Sequence, residues 1–202
     1  MGRERRDIRL GVPHHVVHRG NHQSALFGTD DDRRLYLSLV HRFSRVTGTG
    51  IAGFCLMRNH IHFVAIPASV RSISQCFGQT HRKYSEFLNM RAGTYGTNWE
   101  GRFYSEPMSE EHAINALRYI ERNPVTAGVV ESPTDWIWSS AGIHCCDGKR
   151  WPLVNRDIRG HLADPLKWRD LLRSELDEAE LQTIGWVFRA QGIDAPLEAS
   201  YF

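Results

Sequence analysis

Apolar residues recur along the chain at two spacings, every second position and every third or fourth, and the changes between them delimit its elements. From Val12 to about Arg19, β-branched residues set among histidines predict a strand, with Gly20-Asn21 turning the chain out of it. "TDDDRRLYLSLVHRFSRVTG" predicts a helix capped by Thr29 or Asp30, with acids in its first turn and Leu35, Leu39, Val40 and Phe43 facing inward. "IAGFCLMRNHIHFVAIP" predicts two apolar strands joined around Met57-Arg58-Asn59, with His60 opening the second. A second helix follows in "SVRSISQCFGQTHRKYSEFLNMR", with Ile73, Phe77, Tyr84 and Leu88 inward. After the loop "AGTYGTN", "WEGRFYSEPM" predicts a further strand. "SEEHAINALRYIERNP" then predicts a helix capped by Ser109, with Ala113, Ile114, Leu117 and Ile120 on its apolar face and Pro124 as its stop.

This order is the split βαβ pattern of a ferredoxin-like sandwich: an α+β fold, with an antiparallel sheet carrying helices on one face and an extra helix after it. Helical spacing resumes in "PLKWRDLLRSELDEAELQTIGWVFRAQ". The expected division is therefore a first domain over residues 1–148 and a helical C-terminal extension over residues 149–202. No internal repeat or low-complexity segment interrupts it.

A chain of 202 residues, 41% hydrophobic and 24% charged, has the composition of a globular protein with one main core. No stretch approaches the apolar length of a membrane span, and "MGRERRDIRL" lacks the apolar centre of a secretory signal, so the expectation is a cytoplasmic protein without a membrane partner. Cys55, Cys76, Cys145 and Cys146 include no C-x-x-C pair, which points to reduced thiols. A net charge of +2 alone says little about partners, although Arg3, Arg5, Arg6 and Arg9 crowd one end and "SELDEAE" lies near the other.

"LMRNHIHFV" raises the chemical question, because His60 and His62 fall on one face of an apolar strand. Residues i and i+2 of a strand project about 6.6 Å apart, close enough for two imidazoles to hold one metal ion at about 2.1 Å. Two histidines on an open sheet face satisfy the same pattern without a metal. Upstream, His14 and His18 share a face about 13 Å apart while His15 points the other way, so "PHHVVHRGNH" is expected to be polar strand or binding surface rather than a metal site. Tyr119 and Asn123 lie four apart on the last helix, one side of it, displaced from the Ala113/Leu117/Ile120 stripe. Should that helix pack beside the hairpin, two imidazoles, an amide oxygen and a phenol would meet, a set suited to phosphoryl transfer. Taken singly, Tyr119 also reads as a packed amphipathic tyrosine and Asn123 as a helix C-cap.

"PHHVVHRGN", "LMRNHIHFV", "NWEGRFYS" and "LRYIERNPVTAGVVESPTDWIWSS" together resemble the single-tyrosine HUH transposases, in the branch of REP-associated tyrosine transposases, from about Val12 to Ala141. The resemblance implies a metal-dependent endonuclease and strand transferase acting on single-stranded DNA that carries palindromic repeat hairpins, as a monomer or homodimer. His60 and His62 match the metal ligands, Asn123 the helix residue that completes the site, and Tyr119 the nucleophile that forms a 5′-phosphotyrosine. The implied cofactor is Mg²⁺ or Mn²⁺. Arg58 stands where many relatives have proline, and the tail beyond about Lys149 lacks the basic segment common in relatives.

Arg19, Arg82, Lys83 and Arg102 are expected phosphate contacts, with Trp99 as a stacking platform for an unpaired base. A tyrosine with an ordinary pKa of about 10 needs help to attack at neutral pH, from the cation, from Arg118 or Arg122, or from a water acting as base. Two other classes fit parts of the pattern: a non-cleaving nucleic-acid-binding regulator on the same fold, and a zinc-dependent hydrolase built on the histidine pair.

Overall fold

The structure, a computed structural model, describes residues 6–146, 151–158, 160, 164–181 and 184. Its centre is a four-stranded sheet of β1 (His14–Arg19), β2 (Thr49–Leu56), β3 (His60–Pro67) and β4 (Tyr104–Pro107), in the order β2-β3-β1-β4. Every neighbouring pair is antiparallel, as the split βαβ reading requires. α1 (Asp30–Thr47) and α2 (Ser72–Ala92) make the two crossovers and pack against each other.

The ends of α1 follow from local chemistry. Thr29 Oγ1 accepts from the Asp32 amide and Asp32 Oδ2 accepts from the Thr29 amide at 3.0 Å, a reciprocal capping box. Gly48, at φ 67°, ends it in the left-handed conformation that glycine adopts without strain. The inward face is Tyr36, Leu37, Val40 and Phe43, while the expected core residues Leu35 and Leu39 only flank it. On α2, Ile73, Phe77, Tyr84 and Leu88 are buried as their spacing predicts.

Alternation along the strands divides the interior into two apolar layers. Val16, Phe54, Leu56, Ile61, Phe63 and Ala65 face α1 and α2. Ala52, Cys55 and Val64 face the other way, where α3 (Glu110–Thr126) lies. The extra helix thus covers the second face of the sheet, and all eight residues of β2 are buried. α3 also runs past Pro124, the expected stop: the ring removes one backbone donor, but it falls in the last turn, where the Ala127 amide still reaches Asn123 O at 2.9 Å.

Gly53 sets how closely α3 approaches. A register shift between Ile51 and Gly53 puts Ala52 and Gly53 together on the α3 side. A Cβ at Gly53 would stand 2.4 Å from Leu117 Cδ2 and 2.8 Å from Ser140 Oγ. Beyond α3, the short helix α4 (Ala141–His144) and α5 (Pro165–Arg173) continue the same layer, with Trp168 and Leu172 in one cluster with Ala113, Leu117 and Ile120. The expected C-terminal helix is broken: α5 ends at Arg173, residues 174–177 are not helical and helix resumes at 178, while 182–183 and 185–191 lie outside the described residues.

The histidines of β1 are interior, not a surface. His14 and His15 are fully buried and His18 nearly so, which corrects the alternative of a binding surface. On the α1–α2 side His18 Nε2 faces Glu100 O at 3.2 Å and must donate to it. His18 Nδ1 therefore accepts from His81 Nδ1 at 3.0 Å, and His81 Nε2 accepts from the Tyr36 hydroxyl at 2.9 Å. With both rings neutral, every nitrogen in this chain has a complementary partner. Burial accordingly lowers the pKa of His18 to about 4 and that of His81 well below the ordinary value.

Two outcomes follow from this packing. Gly53→Ala is expected to destabilise the fold by about 1–3 kcal/mol, because fully buried Leu117 has nowhere to swing, as read from the urea midpoint. In metal-free buffer the same midpoint should hold above about pH 6.5, the unfolded histidine value, and fall below it. His14, His18 and His81 have depressed folded pKa values, so below that pH the unfolded chain binds more protons than the folded one. Each such group removes about 1.4 kcal/mol per pH unit until its folded pKa is reached.

Candidate active site

His60 opens β3 and His62 follows on the same face, opposite Arg19 and Val17 of β1. Their rings are 4.9 Å apart and nearly perpendicular, and both side chains are buried. Asn59 Oδ1 lies 2.8 Å from His60 Nδ1 and can only accept there if the amide oxygen is the atom in contact, so the ring carries its proton on Nδ1. Nε2 is then the nitrogen with the lone pair. His62 Nδ1 lies 3.1 Å from His15 Nε2. Burial lowers the pKa of His60 to about 4, and burial together with His60 and His15 lowers that of His62 well below the ordinary value. Both imidazoles are neutral donors at physiological pH.

α3 brings the other two residues to this face. Its Tyr119 ring meets His62 edge-on at 6.2 Å. Asn123, one turn later, holds its amide within hydrogen-bonding reach of both Tyr119 and His60. Although displaced from the apolar stripe of α3, both side chains are buried, with Tyr119 8% exposed and Asn123 5%. The reason is the second layer, which turns this side of α3 onto the sheet. Burial pushes the Tyr119 phenol up to about 12, partly offset by its hydrogen bond with Asn123.

The donor set fits a divalent cation. His60 Nε2 and Asn123 Oδ1 are both buried and neither forms a well-aligned hydrogen bond. Two imidazole nitrogens and an amide oxygen are ligands that first-row divalent ions accept. No group of three His, Cys, Asp or Glu side chains suited to a metal occurs among the described residues, so the third protein ligand would be of another type, here the amide of Asn123.

A family model described as "Transposase IS200 like" matches residues 11–123, which span all four strands and end on Asn123. The chain belongs to the IS200-like transposase family. A solved structure described as a REP-associated tyrosine transposase bound to a REP hairpin superposes with a TM-score of 0.59 at 17% identity, covering 78% of this chain and 99% of that one. That likeness is one of fold. No curated protein matches the chain.

In this transposase the expected phosphate contacts separate into two places. Arg19 stands beside His60, where its guanidinium depresses the imidazole pKa and pairs with Glu100, one bond at 3.0 Å. Arg82 and Arg102 line a cavity of about 580 Å³ on the α2 side, together with Arg6. Lys83 is outside that lining and pairs with Glu86 at 2.7 Å. Trp99 corrects the expectation of a stacking platform: it is 3% exposed, with its indole stacked on His81 at 4.1 Å and on His18 at 4.7 Å. A ring already covered on these sides has no open face for a base. Arg6 entered the sequence reading only as one of the basic residues at one end of the chain and Glu100 not as a site residue, since charged residues at loop positions carry no periodic signal.

The transposase holds the far side of α3 with its C-terminal segment. Arg118 pairs with Glu180 and donates to Ser174 Oγ at 3.2 Å, and Arg122 donates to Leu172 O. Both guanidiniums are therefore committed away from Tyr119, which corrects the expectation that either assists it. Between them, fully buried Glu121 accepts from Ser140 Oγ and, at 2.9 Å, from Trp168 Nε1, while His144 Nδ1 lies 2.6 Å from it. Removing this carboxylate strands several donors in the interior. Glu121→Ala is expected to lower stability by about 3–5 kcal/mol, measured by urea unfolding, whereas a surface change such as Glu86→Ala should leave the midpoint nearly unchanged.

Proposed function

We propose that this transposase cuts single-stranded DNA beside palindromic repeat hairpins through a covalent 5′-phosphotyrosine at Tyr119. The observation that carries the reading is the meeting of Tyr119 with His62 at 6.2 Å, with Asn123 standing between the phenol and His60. Sequence separations of about sixty residues end within one ring's width, a convergence that packing alone does not require.

His60, His62 and Asn123 would hold Mg²⁺ or Mn²⁺, which supplies Lewis-acid polarisation of the scissile phosphate and favours the ionised phenol. All three ligands are neutral, so the full cationic charge is available to the substrate. Tyr119 Oη then attacks the phosphorus in line. The Oη–P bond forms, the P–O3′ bond breaks, and the departing strand keeps a 3′-hydroxyl. Attack by a second 3′-hydroxyl on the phosphotyrosine reverses these bonds and joins strands. Because an unassisted phenol is held near a pKa of about 12 by burial, the uncharged resting state is the stable one.

Arg19, beside His60, is placed to meet the phosphate nearest the cut. Arg82 and Arg102 at the α2-side cavity suit the backbone of the hairpin, with Lys83 on the adjoining helix face. One chain provides nucleophile and ligands together, so a monomer suffices for cleavage. We assign residues 1–148 to this activity and residues 149–202 to an extension that braces α3, in a protein working in the cytoplasm.

The test is incubation with single-stranded repeat-hairpin DNA and Mn²⁺, followed by denaturing electrophoresis. The unaltered protein should give a covalent protein–DNA species that EDTA prevents. Tyr119→Phe should give none while still retarding the hairpin on a native gel, and His60→Ala should lose the adduct as well. A protein that binds hairpins yet never forms the adduct is a non-cleaving regulator, and the proposal then fails.

A further inference from the structure

His15 is the buried residue that the proposed chemistry leaves unused. It is the second residue of β1, an interior strand of the sheet, fully inaccessible and opposite Val64 on the α3-facing side. A β-branched residue would fill this position without bringing ring nitrogens into the interior. Its neighbour Val17 shows that the same strand face accepts one. An imidazole buried here must be doing something with its nitrogens.

What it touches is His62. The two rings stack at 20° with centroids 5.3 Å apart, and His15 Nε2 lies 3.1 Å from His62 Nδ1. Two neutral imidazoles in such a contact share one proton, so one nitrogen donates and the other accepts. The direction decides what His62 can do. If His62 Nδ1–H donates, its Nε2 carries the lone pair; if His15 donates, His62 is protonated on Nε2 and cannot ligate through it. The neighbouring ligand shows the same device, since Asn59 takes the Nδ1 proton of His60 and leaves Nε2 basic. Hydrogen-bond acceptors behind metal-bound histidines are a general means of fixing tautomer and ring orientation.

We infer that His15 is a positioning residue for the metal site: its Nε2 accepts the Nδ1 proton of His62 and so holds the Nε2 lone pair of His62 toward the cation. This inference rests on the proposed metal site. It assigns His15 of the "PHH" motif a role distinct from DNA contact.

Two variants separate positioning from packing. His15→Phe keeps a flat ring in the stack and removes the acceptor, and His15→Gln returns an acceptor oxygen without the ring. Binding of Mn²⁺ alone, followed by electron paramagnetic resonance of the free ion, should weaken roughly 10- to 100-fold in His15→Phe. In His15→Gln it should recover most of that loss. Long-range proton–nitrogen NMR of the metal-free protein should find His62 protonated on Nδ1 in the unaltered chain and on Nε2 in His15→Phe. His62→Ala serves as the reference for a lost ligand. If the unaltered protein binds Mn²⁺ and His62→Ala abolishes it, but His15→Phe binds as tightly as before, the inference falls while the metal site stands. If the unaltered protein shows no binding that depends on His60 and His62, the metal site falls and takes the inference with it. Should His15→Phe not fold, the spectrum of the unaltered chain decides: a His62 ring protonated on Nε2 overturns the assignment.

Discussion

The seating of α3 on the second face of the sheet is the contact on which the candidate site depends. Leu117 occupies the space left by the missing side chain at Gly53, and the local register shift in β2 turns two small residues toward the helix. With the helix this close, Tyr119 and Asn123, two and six residues after Leu117, fall over His62 and His60. A larger residue at the glycine would lift the helix as a rigid body, and every distance in the site would change together. The brace from the C-terminal segment acts on the same degree of freedom from outside. Arg118, Glu121 and Arg122 alternate along α3 with the residues that face the histidines, so each side of the helix is fixed by a different partner.

Burial of neutral imidazoles is the second constraint. Seven of the eleven histidines are buried, too many to be incidental in a chain whose charge balance is otherwise ordinary. An isolated buried imidazole is unfavourable unless its nitrogens are used. Five of the seven fall into two sets, one on each face of the sheet, while His14 meets Val12 O and the Arg9 amide and His144 pairs with Glu121. The His18–His81–Tyr36 chain ties β1 to α1 and α2 through a complete donor–acceptor sequence. The His15–His62–His60 set has a different character, for it ends on buried atoms whose hydrogen-bonding capacity the polypeptide does not fill at His60 Nε2 and Asn123 Oδ1. A polar chain that closes on itself is structure; one that ends on lone pairs points at a ligand.

Much of this was legible in the residues. The order of strands and helices follows from two apolar periods and from capping signals such as Thr29 and Ser109, which act within a few residues of themselves. His60, His62, Tyr119 and Asn123 could be nominated because strand and helix spacing puts each pair on one side of its own element. What spacing does not contain is which side of an element meets which layer. Spacing therefore sets Tyr119 and Asn123 off the apolar stripe without showing that they face the sheet, and it leaves Trp99, an aromatic in a loop, open when it is stacked on two histidines. The partnership of His15 with His62 crosses forty-seven positions and depends on the register of β1 on β3, which no local pattern encodes.

The depressed histidine pKa values and the raised tyrosine pKa have one origin, and they bear on function together. The interior that keeps His60 and His62 uncharged, and so able to donate, is the same interior that keeps the Tyr119 phenol protonated. A more solvated site would ionise the tyrosine more readily but would let the imidazoles take protons and lose their lone pairs. A dry site reverses both, and it places the whole electrostatic demand on whatever positive charge enters with the substrate. Arg19, half-buried and paired with Glu100, is the fixed positive charge whose field reaches His60. On the proposed function, a substrate phosphate would compete with the Glu100 carboxylate for that charge. On this account the resting protein is chemically quiet because its reactive groups share one low-dielectric layer, and phosphate and cation arriving together are what change the balance.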